Sequence, residues 1–109
     1  MGVASSPYTC DYDYVSSTTD RHEAAAELLR SLANRHRVAI VEALDHEPHC
    51  VHELVEALGI GQPLVSQHLR VLRTSGLLTT QRRGKEIVYS LTDHHVAHIV
   101  GDAIKHAQE

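Results

Sequence analysis

The chain has 109 residues, 42% of them hydrophobic, with four Tyr, no Phe and no Trp. That length suits one domain and excludes a separate catalytic domain, and so aromatic-poor a core must be built from Leu, Val, Ile and Ala, as in short packed helices. A net charge of −4 argues against indiscriminate polyanion binding, no apolar run nears the roughly 20 residues of a membrane span, and the first residues lack the basic and apolar regions of a secretory signal, so a cytoplasmic protein without a membrane partner is expected.

Residues 1–18 read as a flexible arm, rich in Ser, Thr, Asp and Tyr and without apolar periodicity. A single domain is expected over residues 19–109. Its first helix should begin near Thr19 or Asp20, with Glu23 completing a capping box. Ala24, Ala25, Leu28, Leu29 and Leu32 follow at helical spacing. Asn34 reads as the N-cap of a second helix carrying Val38, Ile40, Val41 and Leu44, which stops before Pro48. A short helix over Val51–Leu58 is closed by Gly59. Pro63 then sits in the first turn of another helix, with Leu64, Val65, Leu69 and Leu72 expected to face inward. Two short helices joined by a Gly-containing turn are a helix-turn-helix.

From Leu77 the period changes from helical to alternating. Leu78 to Arg82 and Glu86 to Leu91 favour strands, and Arg83-Gly84-Lys85 between them predicts a two-stranded hairpin with a basic tip. Thr92 is expected to cap a last helix reaching about Gln108, with Val96, Ile99, Val100, Ala103 and Ile104 along one side. The fold class is therefore α+β and mostly helical: a winged helix-turn-helix with a hairpin wing and a C-terminal dimerisation helix.

The average charge conceals a polarised chain. Five of the ten basic residues (Arg70, Arg73, Arg82, Arg83 and Lys85) fall in one short stretch, and no acid lies between Glu56 and Glu86. A basic strip on an acidic body binds phosphates while discouraging loose association. In a helix-turn-helix the second helix enters the major groove, so Gln62, Ser66, Gln67 and His68 are candidates for contact with base edges. Arg70 and Arg73 would neutralise phosphates, and Arg82, Arg83 and Lys85 would reach the flanking backbone or minor groove. The implied partner is double-stranded operator DNA rather than a small-molecule substrate.

Ten histidines are the second compositional outlier. On the last helix, Asp93 and His95 stand near the start, and His106 and Glu109 near the end. The two histidines are eleven positions apart, roughly 16 Å along the helix, whereas zinc needs its nitrogen and oxygen ligands at about 2 Å. One helix therefore cannot close the site. Two copies packed antiparallel can, because Asp93 and His95 of one subunit then meet His106 and Glu109 of the other. The result is two tetrahedral sites per homodimer. Such N/O ligands suit Zn2+, with Co2+ as a plausible substitute. Asp93 and His95 cannot share a helical face, so Asp93 is expected in non-helical cap geometry. His94 and His98, with Asp102 next in line, form a competing cluster. A second site could use Cys10, Cys50 and Glu53, with Asp11 or Asp13. Against these stands the plainer reading that a surface His is solvated and a Cys is a small core residue.

These segments resemble the ArsR/SmtB family of metal-sensing repressors from about residue 23 onward. Cys50-Val51-His52-Glu53-Leu54 is similar to the family's ELCVxDL segment. Gln62 to Leu69 resembles its S-x-H-L recognition helix, and Asp93-x-His95 with His106-x-x-Glu109 matches its zinc pattern. The resemblance implies that the apo dimer binds its operator and is released by zinc. It also implies a bond from the outer nitrogen of His106 to a carbonyl near Gly76. Two departures stand out: His52 occupies the second position of the family's two-cysteine metal box, which argues against a thiolate-rich cadmium or lead site, and Pro63 replaces a more usual Ser. An enzyme is disfavoured, since no His-Glu-x-x-His segment and no nucleophile with a paired base occur. The principal alternative is a thiol- or redox-responsive winged-helix repressor using Cys10 and Cys50.

Overall fold

The computed structural model describes residues 12–109, with side-chain surroundings from Asp20 onward. Cys10 and Asp11 lie outside the described residues, as does the side chain of Asp13. The chain divides into a unit that ends at Arg30 and a second from Ser31 to Glu109.

The first helix, α1, runs Tyr12–Leu32, so it begins well before the expected Asp20 cap. The stretch before Asp20 contains neither Gly nor Pro after Pro7, and nothing local halts the helix there. Within it Arg30 pairs with Glu23 and Glu27, each at 3.3 Å and exposed.

In the second unit, α2 (Arg35–His46) starts at Asn34, whose side-chain oxygen accepts the His36 and Arg37 N–H groups at 2.9 and 3.3 Å. This satisfies two of the donors that a helix start leaves orphaned. Ile40, Val41 and Leu44 face the core. The strand β1 (His49–Cys50) follows, then α3 (Val51–Leu58), which ends at Gly59 in the left-handed region with φ 71°. Helix α4 (Gln62–Thr74) begins at Gly61 with Pro63 in its first turn.

Strands β2 (Leu78–Arg83) and β3 (Glu86–Leu91) pair antiparallel from Leu78↔Leu91 to Arg83↔Glu86. Gly84, at φ 66°, makes the reversal possible in two residues. The sheet is three-stranded, in the order β1-β3-β2, with His49↔Tyr89 and Cys50↔Val88. The third strand was not anticipated: two residues show no alternation, and only pairing with β3 defines them.

Helix α5 (His94–Gln108) is capped by Asp93, not by Thr92 as expected. Thr92 instead donates its hydroxyl to the Gly76 carbonyl at 2.8 Å and its N–H to the Leu77 carbonyl at 3.0 Å. The core joins Ile40, Val41, Leu54, Val65, Leu69, Leu72 and Val100, all nearly inaccessible. Burying each such side chain contributes about 1.5–3 kcal/mol relative to exposure, which fixes α4 and α5 on one scaffold.

Candidate nucleic-acid interface and metal-ligating residues

Helices α3 and α4 form the expected helix-turn-helix. The buried side of α4 comprises Val65, His68, Leu69 and Leu72. Gln62, Ser66, Gln67, Arg70 and Arg73 are exposed on the other side. On the hairpin, Arg82, Arg83 and Lys85 are exposed too. A groove lined by Ser66, Leu69, Arg70, Arg73, Thr74 and Tyr89 joins α4 to β3. Two guanidiniums and three hydroxyls around one concavity offer charge-assisted and neutral donors to a phosphate. Thr74 and Tyr89 were not singled out from sequence. Tyr89 could have been, since it alternates with the buried Val88 on β3.

Two expectations about α4 are corrected. His68 is only 7% exposed and cannot read bases. Its Nδ1 lies 3.2 Å from the Arg37 guanidinium, and its ring packs tilted against His36 with centroids 5.6 Å apart. Burial, reinforced by the Arg37 and His36 charges, pushes its pKa below the ordinary histidine value. Arg37 is anchored in turn through Nε to the Ser31 carbonyl at 2.6 Å. Leu64, expected in the core, is instead 42% exposed at the start of α4. Its methyl groups stand where a major-groove helix meets base edges, and apolar side chains there contact thymine methyls.

The proposed zinc ligands lie in two places. Asp93 is extended at φ −159° and ψ 178°, and its carboxylate accepts the His95 and Val96 N–H groups at 2.9 and 3.3 Å. His95 Nδ1 lies 3.6 Å from the same carboxylate, with the imidazole 90% exposed. These two groups thus place one nitrogen and one carboxylate side by side, and one Asp93 oxygen takes no part in the cap. His106 and Glu109 are exposed at the opposite end of α5. One protomer keeps the halves apart. His94 and His98 turn elsewhere, lining a groove with Asp45 of α2 and with Asp102.

Around Cys50 the arrangement differs from the expected one. Glu53 turns back to accept the Cys50 N–H at 3.0 Å and lies 3.3 Å from His49 Nδ1. The bond from the Cys50 N–H lowers the Glu53 pKa most. The carboxylate caps α3 and also interacts with the Cys50 side chain. In addition Cys50 Sγ lies 3.4 Å from His52 Nδ1, and that nitrogen 3.6 Å from Glu86 Oε2. Neither His52 nor Glu86 was predicted as a ligand. Burial pushes the Cys50 thiol up, which opposes the thiolate that redox sensing requires.

The model of the bacterial regulatory proteins of the arsR family matches residues 34–80. The chain is 56% identical over 87 residues to the HTH-type transcriptional repressor SmtB of Mycobacterium tuberculosis, a match covering 80% of this chain and 64% of that protein. It is 43% identical over 95 residues to the HTH-type transcriptional regulator NmtR of the same organism, covering 85% and 79%. Among solved structures, the transcriptional repressor BigR from Xylella fastidiosa superposes with a TM-score of 0.72 at 38% identity, over 80% of this chain and 89% of that one. NolR from Sinorhizobium fredii gives a TM-score of 0.74 at 32% identity, over 82% and 89%.

Proposed function

Because the chain belongs to the arsR family of bacterial regulatory proteins, we propose that it is a zinc-responsive transcriptional repressor. The apo homodimer binds operator DNA and is released when zinc occupies two intersubunit sites. The observation that carries this reading is the division of one ligand set between the two ends of α5, with Asp93 and His95 already adjacent. Antiparallel packing of two α5 helices brings each half to its complement, and the exposed Ile99 offers apolar surface for that packing. Two imidazoles and two carboxylates fit zinc, which supplies a fixed tetrahedral geometry when bound.

The coupling to DNA runs through Thr92. It precedes Asp93 and is hydrogen-bonded twice to the residues that follow the recognition helix, at Gly76 and Leu77. A shift of Asp93 toward a partner helix therefore pulls on the end of α4. That changes the separation of two recognition helices which must enter successive major grooves. Ser66, Arg70 and Arg73 hold phosphates, while Gln62, Gln67 and Leu64 read bases.

The test is fluorescence anisotropy of the DNA upstream of this protein's own gene, titrated with protein and then with zinc. Tight apo binding that is lost with zinc and restored by a chelator supports the proposal. Binding indifferent to zinc overturns zinc sensing and leaves a winged-helix DNA binder.

A further inference from the structure

The start of α4 presents carbon where a helix start ordinarily presents hydrogen-bond donors. Pro63 has no N–H to give, and the N–H groups of Leu64 and Val65 both turn back to the Gly61 carbonyl at 3.1 Å. Little of the first turn is therefore left for a phosphate. Pro63 is exposed and Leu64 is 42% exposed. Neither is claimed by the core, whose side of α4 is Val65, His68, Leu69 and Leu72.

Position says what covers this apolar pair. At about 100° per residue, Pro63, Gln67, Arg70 and Thr74 form one line opposite the buried side of α4, and all four are exposed. Leu64 stands about 100° further round, away from the groove of Ser66, Arg73 and Tyr89. Gln62 to Leu69 contains no Lys, Arg, Asp or Glu. The cations that read guanine and the carboxylates that read cytosine are thus missing from the first two turns. Gln62, Ser66 and Gln67 remain for hydrogen bonds. Pro63 and Leu64 remain for the one apolar feature of the major-groove edge, the C5-methyl of a pyrimidine.

We propose that Pro63 and Leu64 read pyrimidine C5-methyl groups, so that 5-methylcytosine at the position they cover is distinguished from cytosine as thymine is from uracil. The methyl contact presupposes the DNA-binding reading above and adds the chemistry that its recognition helix selects. It is apolar and indifferent to which base pair carries the methyl, because the hydrogen bonds of the base are read separately by the glutamines. Operator affinity thus acquires a response to covalent cytosine methylation that needs no metal and no α5 ligand. Burying one methyl changes affinity about fourfold. A homodimer meets the position in both half-sites, giving roughly fifteenfold for a symmetric substitution.

Footprinting of the apo protein on the DNA upstream of its gene defines the half-sites, and anisotropy then compares duplexes that differ only at C5. At one symmetric pair of positions thymine should be preferred over deoxyuridine. With that pair changed to C·G, 5-methylcytosine should be preferred over cytosine by a similar factor. Pro63→Ser and Leu64→Ala, both at exposed positions, should bring the two ratios toward one with the circular dichroism spectrum unchanged. Arg73→Ala should weaken binding to all four duplexes and keep the ratios. Binding that ignores C5 methylation, ratios unchanged in both α4 variants, or a thymine preference without a 5-methylcytosine preference overturns methyl reading and leaves DNA binding standing. No binding to any duplex overturns the DNA-binding reading and methyl reading with it.

Discussion

The DNA-facing region and the C-terminal helix differ in how complete each is within one chain. On α4 and the hairpin, Ser66, Arg70, Arg73 and Tyr89 already converge on one groove. On α5, Asp93 and His95 are adjacent at one end, while His106 and Glu109 stand exposed at the other. The difference reflects the geometry each ligand demands. Phosphate is bound by charge and hydrogen bonds that tolerate displacement, whereas a metal requires every donor at about 2 Å. A metal site shared between subunits, as proposed, would make dimer geometry the quantity that the metal reads.

The largest expected effect comes from removing a ligand that no other residue replaces. In His106→Ala, zinc should no longer change operator affinity, erasing a coupling typically of about 1–3 kcal/mol, while apo anisotropy titrations stay as in the parent. Retained zinc-driven release would show that the α5 halves do not meet. Next, Arg70→Ala and Arg73→Ala should each weaken binding to all DNA sequences alike. Each should flatten the slope of log affinity against log salt by about one. An unchanged slope would remove that groove from the interface. Thr92→Val deletes the hydroxyl bonded to Gly76 and should leave zinc affinity intact, while reducing the zinc-dependent change in DNA affinity by about 1 kcal/mol. Equal coupling in the variant would exclude the Thr92 route.

Smaller effects sharpen the same contrast. Replacing thymine by deoxyuridine in the operator should cost the parent about 0.8 kcal/mol at one position, and should cost Leu64→Ala less. Equal losses would mean that Leu64 meets no base methyl. His68 gives a pH signature in stability rather than in recognition. Its folded pKa is depressed by burial and by Arg37 and His36, so below about pH 6.5 the unfolded chain takes up a proton that the folded one refuses. Stability measured by urea unfolding should therefore fall as pH drops through that range. The slope should be shallower in His68→Leu, and an identical slope would assign the pH dependence to other groups.

How much of this was legible in the sequence depended on whether the cause was local. The Asn34 cap and the Gly59 stop are decided within a few residues, and both read directly. His68 and Leu64 show residue type competing with position. Spacing of three, four and seven from Val65 puts His68, Leu69 and Leu72 on one face and leaves Leu64 off it. Periodicity thus held the answer, but polarity sent His68 outward and hydrophobicity sent Leu64 inward. Thr92 and Asp93 illustrate the same ambiguity at a helix start, since both are good caps and only the bonds to Gly76 and Leu77 separate their roles. The strand β1 and the cluster of Cys50, His52 and Glu86 were beyond local reading. They exist because β1 pairs with β3, a register joining residues far apart in the chain.

The two-residue reversal at Gly84 also constrains how the wing can vary. Because Arg83 stands directly opposite Glu86, adding a residue to one strand alone either bulges the ladder or exchanges its faces. The faces of β2 and β3 carry different chemistry, so such an exchange would bury a cation or expose Val88. Length changes in this hairpin are therefore admissible as matched additions to both strands, and single-residue insertions into either strand should be disruptive where the matched pair of insertions is tolerated.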